Sequence, residues 1–315
     1  MNRILLVLFL SLYLCACNEK ADQTASAPQV EQADVLDAVL EKKKLVALVD
    51  NSTSSYFLYK GQPMGFEYDL LNEFSKFLGV SLEIKLINEL DSVSYFINNG
   101  KADLIAANLT VTKERSEILN FSEPLLYTRQ VLVQKLPDDY WKKAWHKVEK
   151  QLIRNPIELA AETVYVKRNS SFYSRLSNLS DEIGADIIIQ EPAPGEDTET
   201  LIKKVSEAEI KYTVADENIA LINRKYYPNI DIKTPISFNQ KIAWAAAKEN
   251  SNQLLDTLNY WINSMKESQK YSMIRLKYFK ARTELSKKIL SEYSSVSGNK
   301  ISEYDAFFKK YAEII

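Results

Sequence analysis

With 315 residues, 46% of them apolar and 26% charged, the chain can bury a core in each of two lobes, which sets it apart from disordered and fibrous sequences. Forty Lys and Arg face 42 Asp and Glu, a formal charge of −2, and this balance argues against nucleic acid or an anionic surface as the partner. Both cysteines, Cys15 and Cys17, lie near the N-terminus, so the folded part has no disulfide to form.

Met1-Asn2-Arg3 precede an apolar run from Ile4 to Leu14 and then Cys15-Ala16-Cys17: a basic start, a short apolar core and a small residue before a cleavage point. This is the pattern of an export signal, and the run is shorter than the ~20 apolar residues that span a bilayer. Leu14-Cys15-Ala16-Cys17 resembles the bacterial lipobox, which implies that Cys17 carries the lipid and becomes the mature N-terminus. Loss of residues 1–16 removes only Arg3 among charged groups and leaves a formal charge of −3. Asn18 to Asp34 is polar and alanine-rich, has little to bury and reads as a flexible tether, taken to run on to residue 42, where the first strand begins.

From Lys43 onward short β-branched runs alternate with amphipathic stretches. Leu45–Val49, Leu82–Leu86, Leu104–Ala107 and Gln130–Val133 read as strands, and between them Leu70, Leu71, Phe74, Phe77 and Leu78 share one helical face. The second half repeats the alternation: Thr163–Val166, a helix from about Ser171, Ile187–Ile189, a helix from Thr198, and Tyr212–Ala215. Strand and helix in turn mean an α/β fold with two lobes. Gln130–Lys135 and Lys233–Gln240 read as the crossings, which gives a first lobe of 43–132 and 236–280 and a second of 133–235. A cleft between lobes is a favoured place for a ligand. Residues 281–315 read as a helical extension, in which Tyr304, Phe307, Phe308, Tyr311 and Ile314 form an apolar stripe without an obvious partner.

Two stretches carry chemistry. Gly65-Phe66-Glu67-Tyr68-Asp69 is a glycine turn opening a helix with acidic residues, which suits the helix dipole and by itself says no more. Asp103 to Arg115 ends a strand in polar residues and places Thr112 to cap a helix whose first turn holds Arg115. Backbone N–H groups, a hydroxyl and a guanidinium fork together suit a carboxylate, although an ordinary cap beside a surface arginine has the same pattern. His146 lies among lysines with no second histidine and no free cysteine, so a solvated side chain is expected there and no metal; no glycine-rich phosphate loop is present, and no cofactor is expected.

In order and spacing these stretches resemble the family 3 extracellular solute-binding proteins over roughly Leu45 to Phe279. The resemblance implies a type II periplasmic-binding fold in which Asn108, Thr110 and Arg115 hold a ligand carboxylate and Asp216 takes its amine. From the residues alone Asp216 reads equally as a helix cap. On the same implied pose Tyr56 or Phe172 covers the apolar part, and Ser170 and Ser171 donate from the second lobe. Tyr56–Tyr59, Gly65–Leu70, Tyr212–Asp216, Gln240–Trp244 and Ile301–Ala312 further resemble the membrane-bound lytic murein transglycosylase F family, which joins a receptor-like sensor to a peptidoglycan-cleaving domain.

The sequence stops where that family's glutamate-bearing helix is expected, so no catalytic residue is carried over and a binder rather than an enzyme is expected. The expected partners are a small ligand (amino acid, peptide or muropeptide), a membrane reached through the N-terminal lipid, and peptidoglycan or a separate catalytic subunit, with no nucleic acid. Asn18 after the lipid-bearing cysteine favours the outer membrane, facing the periplasm. An importer receptor and one piece of a split transglycosylase are the competing readings.

Overall fold

A computed structural model describes residues 34–87, 93–168, 170–280, 284–296, 298, 300, 302–305 and 310. The export signal, Cys17, the tether up to residue 33, and Phe307, Phe308, Tyr311 and Ile314 lie outside the described residues.

Fourteen strands are present among the described residues: β1 (Lys44–Asp50), β2 (Phe57–Tyr59), β3 (Gln62–Met64), β4 (Ser81–Ile87), β5 (Leu104–Ile105), β6 (Leu119–Phe121), β7 (Leu126–Thr128), β8 (Gln130–Lys135), β9 (Thr163–Tyr165), β10 (Ile188–Gln190), β11 (Tyr212–Asp216), β12 (Ile230–Pro235), β13 (Gln240–Ile242) and β14 (Ala245–Ala247). They build two five-stranded sheets, in the orders β4-β1-β5-β14-β6 and β10-β9-β11-β8-β12. In each sheet three strands run parallel, and the returning β14 or β8 pairs antiparallel to the third. The same layout therefore occurs twice in one chain.

Both sheets are covered on two faces, which is why their central strands read as unbroken apolar runs. In β1, Leu45, Ala47 and Val49 join the core of Phe74, Trp244 and Trp261, while Val46 and Leu48 face the core of Ile97, Ile105 and Leu109. In the second sheet Leu132, Val164 and Val214 pack on one side, and Val131, Val133 and Ala215 on the other. The helix Phe66–Leu78 lays Phe66, Leu70, Leu71 and Phe74 against the first sheet.

The chain passes between the sheets beside β7 and β13, which pair antiparallel in a two-stranded ribbon of their own. Gln130–Lys135, read from sequence as a strand over Gln130–Val133 and as a crossing with the lobe boundary at 132/133, is the strand β8 wholly inside the second sheet, so the passage precedes it. Its continuous burial from Gln130 to Gln134 leaves no change of pattern to mark the passage.

Two boundaries drawn from sequence are corrected. The tether does not reach residue 42: Asp34 caps a helix, Val35–Glu41, whose Val39 is fully buried in the first-lobe core. The Asp34 carboxylate also accepts from the N–H groups of Gln253 and Leu254, tying the entry of the chain to the helix Asn252–Glu267. The expected helical extension is helical over Glu284–Ile289, and the chain then turns and bonds to the first lobe. Ser294 bridges Tyr59, Ser295 N–H donates to the Leu58 carbonyl and Lys60 N–H to the Tyr293 carbonyl. A strand edge offers unpaired N–H and C=O groups that a serine-rich segment satisfies without needing an apolar repeat. Of the apolar stripe, Tyr304 is described and it is exposed.

Candidate ligand-binding cleft

In an open sheet with this strand order, the crevice lies beyond the carboxyl ends of the strands where the order reverses. β1 ends in Asp50, β5 is followed by Ala106-Ala107-Asn108, and β11 ends in Asp216, so both sheets send polar residues to the same place.

Asn108 adopts φ +47°, a left-handed conformation that Asn tolerates better than most residues. Its N–H donates to Glu67 Oε2 at 2.8 Å, which fixes the backbone. Its side chain crosses to the second lobe: Nδ2 donates to Asp216 Oδ2 at 3.0 Å, and Oδ1 accepts from Asn218 Nδ2 at 2.9 Å.

Asp216 occupies the cap position of the helix Glu217–Asn223, yet its side chain makes no cap bond. It turns into the crevice, 2% exposed, with Oδ1 lacking any partner among the described residues. Burial raises its pKa to about 7, opposed by the Asn108 bond and the charge of Arg115.

Thr112 does cap its helix, accepting from Arg115 N–H at 3.3 Å. The Arg115 side chain is half-buried and donates from Nη1 to the Thr110 carbonyl at 2.9 Å; burial lowers its pKa, with Asp216 and Glu114 opposing. A surface arginine is therefore a poor description of it. Thr110 itself is buried and bridges Ile242.

The remaining candidates have partners of their own. Tyr56 packs edge-on against Tyr68 at 5.5 Å. Ser170 is occupied as the cap of Ser171–Ile183, accepting from Tyr173 N–H, while Phe172 packs on the second-lobe core. Ser171 Oγ accepts from Gln130 Nε2 at 3.2 Å, and Gln130 also reaches Gln240, so Ser171 is joined to the crossing. Gln130 Oε1 is buried without a partner among the described residues. His146 is exposed, as its lysine-rich surroundings suggest. Among the described residues no group of three or more His, Cys, Asp or Glu is arranged to hold a metal ion.

Several polar groups of the crevice were not singled out from sequence. Thr53, in the buried loop after β1, donates through its N–H (2.9 Å) and its hydroxyl (2.6 Å) to Glu199 Oε1, in the first turn of the second-lobe helix Thr198–Glu207. Glu199 and Glu67 both titrate near pH 8, chiefly through burial, and Asp50 is raised for the same reason. Tyr226 OH, buried nearby, is raised by burial first and then by Glu199. Glu67 falls in the glycine-turn motif, but nothing local marks Asp50 or Glu199. An open depression of about 650 Å³ beside Arg129, Arg175, Ile236 and Phe238 is separate and shares none of these groups.

Two lobes of equivalent topology, each with the strand order of its sheet reversed at the crevice, define the type II periplasmic-binding fold. The chain matches the bacterial extracellular solute-binding proteins, family 3, over residues 45–281, and it belongs to that family. It is 37% identical over 239 residues to the membrane-bound lytic murein transglycosylase F of Desulfosudis oleivorans, covering 76% of this chain and 49% of the relative. With the protein of the same name from Shewanella sediminis it shares 26% identity, over 99% of this chain and 60% of the relative. The chain thus spans about half the length of the curated relatives it matches. Among solved structures, an ancestral amino-acid-binding protein that preceded cyclohexadienyl dehydratase aligns with TM-score 0.64 at 21% identity, over 79% of this chain and all of that one. The L-arginine-bound substrate-binding protein of a Streptococcus pneumoniae amino-acid ABC transporter aligns with TM-score 0.63 at 22% identity, over 79% and 99%. At these identities the structural likeness shows the fold.

Proposed function

We propose that the chain is the ligand-sensing module of a protein of the lytic murein transglycosylase F type, taking an amino acid, a short peptide or a cell-wall peptide into the crevice between its lobes. The observation that carries this reading is Asp216: a buried carboxylate at a cap position that it does not use, turned toward Asn108 and Arg115 with one oxygen unpaired. An α-ammonium is the natural partner for that oxygen, and a ligand carboxylate suits the Arg115 guanidinium, whose one bond goes to a carbonyl. Asn108 and Thr110 flank the carboxylate in this pose, Tyr56 or Phe172 covers the apolar part, and Ser170 and Ser171 stand at the second-lobe helix start.

Importer receptors share the fold, but the segment after the domain favours the sensor reading, because it is bonded to the loop that walls the crevice. Ser295 Oγ donates to Asn51 Oδ1 at 2.9 Å, and Asn51 follows the last residue of β1. The family match covers the solute-binding part of the chain, and no catalytic role is assigned to it. Calorimetric titration with a panel of amino acids, short peptides and muropeptides tests the proposal: at least one should bind one to one, and silence across the panel would remove it.

For location we propose export and lipid attachment at Cys17, with the domain facing the periplasm, on the outer membrane. Cys17→Ser should abolish metabolic labelling by a fatty acid and release the protein from membranes; persistent labelling would remove the lipobox reading.

A further inference from the structure

The connection between β8 and β9 forms a small body of its own on the second lobe. It holds a 3₁₀ turn, Tyr140–Lys142, a helix, Trp145–Glu149, and a private core of Leu136, Val148 and Leu152 with Tyr140 against it. Outside that core every residue from Trp141 to Lys147 is exposed, in the run Trp-Lys-Lys-Ala-Trp-His-Lys. Trp141 is 68% and Trp145 46% exposed, whereas the other two tryptophans, Trp244 and Trp261, are buried. Two large amphipathic rings left in water are costly unless something covers them.

The charge around them is one-sided. Lys233 Nζ lies 4.4 Å from the centre of the Trp145 ring and Lys142 Nζ 5.9 Å from that of Trp141. Asp139 is matched by Lys142, Asp138 by Lys135 and Glu149 by Arg154. Lys143, Lys147 and Lys150 pair with no carboxylate among the described residues. The net charge of the whole chain conceals this patch, and a surface responds to charge within about a Debye length, ~10 Å, rather than to the molecular total.

We infer that this face docks on an anionic phospholipid surface, with Trp141 and Trp145 at headgroup depth and Lys142, Lys143 and Lys147 against lipid phosphates. Indoles suit the interface because one part is apolar and the N–H is wet, and lysines extend their stems along apolar surface to keep the ammonium in the phosphate layer. A glycan would need the flat ring faces, over which the two lysines lie. This contact is independent of the proposed lipid on Cys17.

The test uses the body from Ala33 onward, a compact unit distinct from the first 32 residues, so that no lipid contributes. Sedimentation with vesicles of equal phosphatidylglycerol and phosphatidylcholine at low salt should capture it, and pure phosphatidylcholine should not. Tryptophan emission should shift to the blue, since only Trp141 and Trp145 have water to lose. W141S/W145S should lower the partition at least tenfold. K142E/K143E/K147E should do the same with both indoles intact, which guards against a fold effect in the first variant. No capture of the parent, or equal capture of both variants, overturns the inference. So does tryptophan-dependent sedimentation with murein sacculi but not with vesicles, which would assign the face to a glycan.

Discussion

Asp216 at the end of β11 gives the clearest reason to look for a ligand amine. Its carboxyl titrates near 7 because burial outweighs the help of Asn108 and Arg115, so near neutral pH it is only partly ionised. An ammonium placed against its free oxygen favours the charged form and drives the pKa down. Binding of an amino acid at pH 6 should therefore release close to one proton, and at pH 9 almost none. Calorimetry at each pH in two buffers of different ionisation enthalpy measures this. Release of equal size at both pH values would point to another group. The sequence singled out Asn108, Thr110, Arg115 and Asp216 through a family resemblance, and the structure bonds Asn108 to Asp216 with the charge of Arg115 acting on that carboxylate. What the residues alone left open was the role of Asp216, since an aspartate that caps and one that points away from its helix look identical in sequence.

Between residues and lobes stand the short connections that line the crevice, and there the sequence was least informative. The Thr53–Glu199 contact joins residues 146 apart in the chain, through an acid that a helix start favours in any case, so neither periodicity nor motif could find it. The central strands β1, β8 and β11 were legible as apolar runs buried on two faces; the passage at 130 was hidden by that same burial. Gly65 is a place where sequence and geometry agree. It adopts φ +143°, and a Cβ there would stand 2.0 Å from the Ser55 carbonyl oxygen, with Tyr278 OH accepting from its N–H on the other side. Relief would have to come from backbone, since no flexible side chain is involved. Gly65→Ala should cost at least ~2 kcal/mol of stability, by strain and by displacing the buried serine loop. Urea unfolding measures it, and a loss under ~0.5 kcal/mol would mean that the loop yields easily.

For the molecule as a whole, burial keeps partly protonated two acids that join the lobes, Asp216 and Glu199, and a third, Glu67, that holds the Asn108 backbone beside them. Glu67 and Glu199 titrate near 8 and Asp216 near 7, all above their ordinary values, so the folded form holds more protons than the unfolded chain between about pH 4 and 8. Unfolding then releases protons, and stability falls as pH rises through that window. The contribution of these three groups is fully present below about pH 4 and lost above 8, each adding at most ~1.4 kcal/mol per pH unit to the slope. Urea midpoints between pH 5 and 9 should decline with pH, and Glu199→Gln, which keeps an acceptor for Thr53, should flatten the decline. A midpoint that rises toward pH 8 would contradict this assignment. The two-lobed plan itself was legible because the alternation of strand and helix repeats, whereas the docking of residues 293–295 on the first lobe was not, because serine-rich turns have no pattern of their own.

In the proposed complex one ligand bridges the lobes between Arg115 and Asp216. Removing one partner of a shielded, charge-assisted pair commonly costs ~2–5 kcal/mol, because the other charge is left alone. The direct measurement is calorimetric titration of the parent, Arg115→Ala and Asp216→Ala with the best ligand of the panel and with its analogue lacking the free amine. Arg115→Ala should weaken both ligands at least tenfold, ~1.4 kcal/mol being one decade of affinity. Asp216→Ala should weaken the amine-bearing ligand and hardly affect the analogue. Unchanged affinity in Arg115→Ala would contradict the bridge and leave the fold without this site.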